Sequence, residues 1–175
     1  MPSPSNSRKQ LTLFVPEPWR TSLDALRSRL DPIQASLIPA HVTLCREDEI
    51  EPLTEASIFD RVGKWAHGPL NLSFSQPIRF EKHGVLLPCS LGASAFQALR
   101  AWLLDAQTPR KNAAHITLAH PRNPVAPGNT EEELAACPRE LQLKFARVAL
   151  IEQQGSGPWR VLQESALGHN PHSEA

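Results

Sequence analysis

The sequence predicts an α+β fold built from two comparable halves, and three observations carry that reading. Apolar residues recur with a period of two in some stretches and at helical spacing in others, in the order strand, helix, strand, helix, strands, helix, strand, helix, strands. The tetrapeptide His41-Val42-Thr43-Leu44 returns as His115-Ile116-Thr117-Leu118, 74 residues on (115 − 41). No low-complexity tract or linker separates the two copies.

The elements follow in order. Residues 10–15 turn Leu11, Leu13 and Val15 inward, a short strand stopped by Pro16 and Pro18. Leu23, Leu26 and Leu30 predict a helix over 19–30, and residues 36–45 read as the first motif strand. A second helix is expected over 51–65, with Pro52 in its first turn. Residues 71–80 alternate around Pro77 as one interrupted strand or two, and His83-Gly84 turns the chain into a strand over 85–88. Ser94 is the expected cap of a helix to about 106 that buries Phe96, Leu99, Trp102 and Leu103. Residues 113–119 form the second motif strand, and Asn129 or Thr130 caps a short helix over 131–136. Residues 141–152 and 159–165 close the fold as a strand pair around Gly155-Ser156-Gly157-Pro158. The domain runs over 10–167, with 1–9 and 168–175 as flexible polar tails. Trp19, Trp65 and Trp102 fall on apolar helix faces and are read as core.

Composition narrows the function. Hydrophobic residues make up 41% and charged residues 21%, ordinary for a globular protein with a sizeable core. Eighteen basic and eighteen acidic side chains cancel, which argues against a broad electrostatic grip on long nucleic acid and leaves room for a short or small phosphate ester. No apolar run is long enough to span a membrane, and the first residues lack the apolar segment of a secretory signal. Cys45, Cys89 and Cys137 are odd in number and without metal-type spacing, so a reduced, cytoplasmic setting and a monomeric protein are expected.

The repeat carries the chemistry. Side chains at i and i+2 of a strand share a face, so His41 lies with Thr43 and His115 with Thr117, while Val42, Leu44, Ile116 and Leu118 face the core. Two chance copies of such a tetrapeptide have odds of roughly one in ten thousand from average residue usage. A plain duplicated core is the bland explanation, but a core more readily keeps aliphatics than two polar pairs that need partners. If the two strands face one another across a groove, two imidazoles flank one point with two hydroxyls beside it. One imidazole then takes a proton from an attacking oxygen while the other protonates the leaving oxygen, and the hydroxyls donate to the non-bridging phosphate oxygens. That equipment suits a cyclic or strained phosphodiester and requires no metal.

These residues resemble the paired His-x-Thr/Ser motifs of the two-histidine (2H) phosphoesterase superfamily, which includes 2′–5′ RNA ligase-like proteins and RNA 2′,3′-cyclic phosphodiesterases. The likeness extends over nearly the whole chain: the opening strand and helix, the spacing of the motifs, Gly84-Val85-Leu86-Leu87 and the hairpin near Trp159 occur in the expected order. The resemblance implies a bilobed, pseudo-two-fold pair of antiparallel sheets with outer helices and a central cleft carrying one motif per lobe. It implies metal-independent opening of 2′,3′-cyclic phosphates on RNA ends or nucleotides, commonly to a 2′-phosphate, with reversible 2′–5′ ligation as the related reaction. His41 and His115 become the acid–base pair, Thr43 and Thr117 the phosphate ligands, and no cofactor or metal is expected. Many relatives carry an arginine two residues after the second motif's leucine, where this chain reads Leu118-Ala119-His120-Pro121-Arg122.

Secondary candidates surround the motifs. Arg46, Arg79, Lys82, Arg110, Lys111 and Arg122 are candidates for a phosphate-steering rim, with Arg46, His120 and Arg122 singled out for substrate binding. Phe80, His83 and Trp159 are candidate stacking platforms for a base in a chain without tyrosine. By strand parity Cys45 shares the face of His41 and Thr43, although a small buried thiol is the simpler reading. A zinc site from His41, His115, His120 and Cys45 matches on residue type alone, lacks compact spacing and leaves the threonines unexplained. The alternatives to an RNA-type cyclic phosphodiesterase are an enzyme acting on a small cyclic phosphate of the ADP-ribose type, and a non-catalytic module binding RNA ends or nucleotides.

Overall fold

Nine strands and six helices alternate along the part of the chain that the computed structural model describes, residues 6–81, 83–121, 123 and 130–168. They are β1 (Ser7–Phe14), α1 (Trp19–Leu30), α2 (Pro32–Leu37), β2 (His41–Cys45), α3 (Glu47–Ile50), α4 (Glu55–Lys64), β3 (Leu70–Ser75), β4 (Ile78–Phe80), β5 (Gly84–Leu91), α5 (Ala93–Leu104), β6 (His115–Ala119), α6 (Glu131–Ala135), β7 (Glu140–Phe145), β8 (Arg147–Gln154) and β9 (Trp159–Ala166). The first sheet runs β2-β1-β8-β9. The second runs β4-β5-β3-β7, with β6 also paired to β5. Every pairing is antiparallel. No helix among the described residues is long and apolar enough to cross a membrane.

Several elements differ from the sequence reading. β1 starts at Ser7, inside the expected tail, because Ser7, Arg8 and Lys9 pair with Gln154, Gln153 and Glu152 of β8. The motif strand starts only at His41. Residues 32–37 are helical, begun by Pro32 and capped by Asp31, whose carboxylate accepts from Gln34 N at 3.2 Å. The expected helix over 51–65 starts only at Glu55, a separate short helix over Glu47–Ile50 precedes it, and Pro52 sits between the two, where no helical N–H is demanded. α5 is capped by Gly92 rather than Ser94. Its backbone turns at φ 93°, a conformation that favours glycine. The closing strand breaks at Ala146, so that β7 joins the second sheet beside β3 and β8 the first beside β1. Trp19 and Trp102 are each 43% exposed, and only Trp65 is core.

The apolar faces drawn from strand parity are as expected, with Val42, Leu44, Ile116 and Leu118 all buried in one core that spans both sheets. The tetrapeptide repeat is the visible tip of a longer structural one. In β1 and β2, Leu11, Thr12, Leu13 and Phe14 stand opposite Cys45, Thr43, Val42 and His41. In β5 and β6, Val85, Leu86, Leu87 and Pro88 stand opposite Ala119, Thr117, Ile116 and His115. Every one of these residues is offset by 74, and both pairs carry a β-bulge one residue after the threonine. The helices between them repeat as well, offset by 73: α1 buries Leu23, Leu26, Arg27 and Leu30, and α5 buries Phe96, Leu99, Arg100 and Leu103. Each helix packs across the seam, α1 on β6 and α5 on β2. The two motif strands, β2 and β6, are in contact there.

Candidate active site

Between the motif strands lies a cleft of about 220 Å³, lined by His41, Thr43, His115 and Thr117 together with Arg8, Gln10, Arg27, Gln34, Ile38, Leu118, His120 and Trp159. The two imidazoles are held in the same way. His41 Nδ1 lies 2.8 Å from Pro39 O and His115 Nδ1 lies 2.8 Å from Ala113 O, each the carbonyl two residues back. A neutral ring so placed donates through Nδ1–H, and its Nε2 is left bare for proton transfer. Their surroundings differ. Burial lowers the His41 pKa to about 4, opposed by the Pro39 hydrogen bond and reinforced by the charges of Arg27 and His115.

Second-layer contacts fix the backbone under each motif. Asp24 of α1 accepts from Ala40 N at 2.7 Å, and Gln97 of α5, offset by the same 73 residues, donates to Asn112 O at 2.6 Å. Asn112 donates onward to Thr43 O at 3.3 Å. Two buried arginines then tie the halves crosswise. Arg27 donates to Ile38 O before the first motif at 2.7 Å and to Thr117 O of the second at 3.2 Å. Arg100 donates to Arg110 O before the second motif at 2.6 Å and to Leu44 O of the first at 3.3 Å. Asp31, fully buried, accepts from His120 N at 2.9 Å and Asn123 Nδ2 at 2.8 Å, holding the turn after the second motif against the α1–α2 junction.

Of the sequence candidates, His41, Thr43, His115, Thr117, His120 and Trp159 line the cleft. Arg46, Phe80 and His83 do not. Arg46 opens α3, where its N–H donates to Glu49 Oε2 at 2.9 Å. Phe80 lies over Gly84, so close that a Cβ there would fall 2.5 Å from its Cε1. His83 sits in the turn after β4, its N–H bonded to Glu81 O at 2.9 Å. Arg79 pairs with Glu131 at 2.7 Å and Arg110 with Asp48 at 2.9 Å, both away from the cleft. Lys111 lines a separate hollow of about 880 Å³ on the other flank of His115. Lys82, Arg122 and Asn129 lie outside the described residues. The bulge after Thr43 turns Cys45 into the core, off the face that parity assigned it, where burial pushes its pKa up to about 12. The zinc ligand set is therefore not assembled, and no group of three or more His, Cys, Asp or Glu among the described residues is placed to hold a metal.

Sequence reasoning missed Arg8, Gln10, Arg27 and Gln34. Arg8 fell in an expected tail; in the fold its guanidinium lies 5.0 Å from the Trp159 ring centroid and its Nε donates to Gln153 at 2.7 Å. Arg27 reads in sequence as one more charge on an amphipathic helix. Laying Leu23-x-x-Leu26-Arg27-x-x-Leu30 against Phe96-x-x-Leu99-Arg100-x-x-Leu103 would have marked it.

Residues 14–157 match the family model of the 2′-5′ RNA ligase superfamily. The chain belongs to that family, the 2H phosphoesterases. Superfamily folds among solved structures superpose on it at low identity. TT0787 of Thermus thermophilus has 18% identity and a TM-score of 0.58, with 93% of this chain and 99% of that one covered. E. coli LigT complexed with 3′-AMP has 15% identity and a TM-score of 0.59, covering 94% and 99%. The same protein complexed with NADP+ has 14% identity and a TM-score of 0.55, covering 95% and 99%. No curated protein sequence matches the chain. The superfamily fold, two antiparallel sheets with helices outside, is the fold described above.

Proposed function

We propose that this 2H protein opens 2′,3′-cyclic phosphates of RNA ends or nucleotides without a metal, using His41 and His115 as the proton carriers. The observation that carries the reading is the matched pair of Nδ1 tethers, which leave both Nε2 atoms open on one small cleft, one to take a proton and the other, in its protonated form, to give one. In the hydrolytic direction, His41 Nε2 takes a proton from water as its oxygen bonds to phosphorus. The bond to the 3′-oxygen breaks, and His115 Nε2–H protonates that oxygen, leaving a 2′-phosphate. The low pKa of His41 keeps its ring neutral at pH 7 and so able to accept, while making it the weaker base. Thr43 and Thr117 donate to the non-bridging oxygens, and Trp159 stacks on the base with Arg8 bracing it. With a 5′-hydroxyl in place of water as the attacking oxygen, the same proton transfers break the bond to the 3′-oxygen and leave a 2′–5′ bond. The small cleft and the zero net charge favour short substrates.

The deciding experiment is turnover of a 2′,3′-cyclic nucleotide in EDTA by wild type, His41→Ala and His115→Ala, with products resolved as 2′- or 3′-phosphate. Activity that resists the chelator and disappears in both variants is expected. An activity abolished by EDTA would falsify the metal-free mechanism. Absence of turnover by folded wild type, tested also on an oligomer with a cyclic end and on an ADP-ribose cyclic phosphate, leaves the binding module as the reading.

A further inference from the structure

We infer that Arg27, from α1, is a further phosphate ligand of this cleft, its Nη2 donating to the same phosphoryl group that the motif threonines hold. The inference rests on the phosphoester reading of the cleft and adds a residue that neither motif contains. Arg27 is 2% exposed, a depth at which a guanidinium keeps its donors filled. It has five N–H groups. Three are committed: Nε to Thr117 O at 3.2 Å, and Nη1 to Ile38 O at 2.7 Å and Asp24 Oδ1 at 2.8 Å. The two on Nη2 meet no acceptor among the described residues. They are not sealed in the core either, since the one buried and unpartnered side-chain nitrogen or oxygen among those residues is Arg100 Nε. Arg27 lines the cleft with both motifs, so the open end of its guanidinium faces that space.

The duplicated arginine shows what the open end means. Arg100 spends Nη1 on Leu44 O and Glu49, and Nη2 on Glu49 and Arg110 O, and it does not line the cleft. It is a clasp with both ends closed. Arg27 makes the same crosswise clasp and keeps Nη2 over, a charged donor for a phosphoryl oxygen. Its other anchors lie one beside each motif. The charge is close enough to help keep His41 neutral.

Two measurements test this. In wild type labelled at arginine nitrogens, titration with inorganic phosphate and with a nucleoside 2′-phosphate should shift the Arg27 side-chain signals saturably and leave those of Arg100 in place. Arg27→Lys and Arg27→Met should weaken phosphate binding at least tenfold and lower kcat/KM on the order of 10²–10³-fold, the loss usual for one preorganised donor. Unresponsive Arg27 signals at saturating phosphate overturn the proposal even if both variants fail to fold. So does a folded variant that binds phosphate within twofold of wild type, which is the result a purely structural clasp gives. Phosphate-responsive Arg27 signals in a protein that turns over no cyclic phosphate uphold the ligand while the hydrolytic reading fails. Turnover with silent Arg27 signals does the reverse.

Discussion

His41 and His115 are made alike by their backbones and unlike by their surroundings. Each ring is locked by the carbonyl two residues behind it, but burial and the Arg27 charge act on His41 to hold its pKa near 4. Between about pH 4 and pH 6.5 the unfolded chain therefore binds a proton that folded His41 refuses, so this residue's contribution to stability falls as the solution is acidified through that window. An NMR titration of the His41 ring should find it neutral down to about pH 4–5, and His41→Asn should flatten the acid side of the stability curve. In the proposed mechanism Thr43→Val and Thr117→Val each remove a hydrogen bond to the substrate phosphate, worth about 1.5–3 kcal/mol, so each should lower kcat/KM roughly 10- to 100-fold with little change in melting temperature. Cys45, sealed and with its pKa raised to about 12, should resist thiol reagents in the folded protein, while half-buried Cys89 reacts first. The four motif residues were legible in the sequence because strand parity and repetition are local properties. Arg8 and Arg27 were not, because their roles arise from β8 and β6, which are distant in the chain.

At the scale of elements, the helices and strands with clean periodicity emerged from the sequence nearly whole, α1 to the residue. The misreadings sit where a cap or a partner outvotes periodicity. Asp31-Pro32 starts a helix that runs into the first residues of an expected strand, and Ala146 divides an apparently continuous one because its two halves have different neighbours. The bulge after each threonine is likewise a property of pairing, and it is what removed Cys45 from the face that parity assigned it. Gly92 is the element-level test. A Cβ there would lie 2.4 Å from Asn71 O, on a backbone already at φ 93°, so Gly92→Ala should cost about 1–3 kcal/mol in chemical denaturation. The β8–β9 hairpin delivers Trp159 to the cleft; Trp159→Ala should raise KM for a nucleotide substrate by the equivalent of about 1–3 kcal/mol and leave kcat nearly unchanged.

For the molecule as a whole, the halves visible in the sequence do not behave as two separate units. α1 rests on β6, α5 on β2, and the chain passes from one sheet to the other between β7 and β8. The pseudo-two-fold relation joins these crossed parts, and the cleft lies where they meet. The crossing bears on how the two proposed proton carriers can come to differ. Two identical subunits around a true dyad are obliged to give both imidazoles the same neighbours and hence the same affinity for a proton. A single chain carrying both copies is free of that obligation, and here each copy has drifted on its own: one arginine closed on Glu49, the other open, and one histidine crowded by a guanidinium. Carrying both copies on one chain lets a symmetric scaffold give the two walls of one cleft different neighbours.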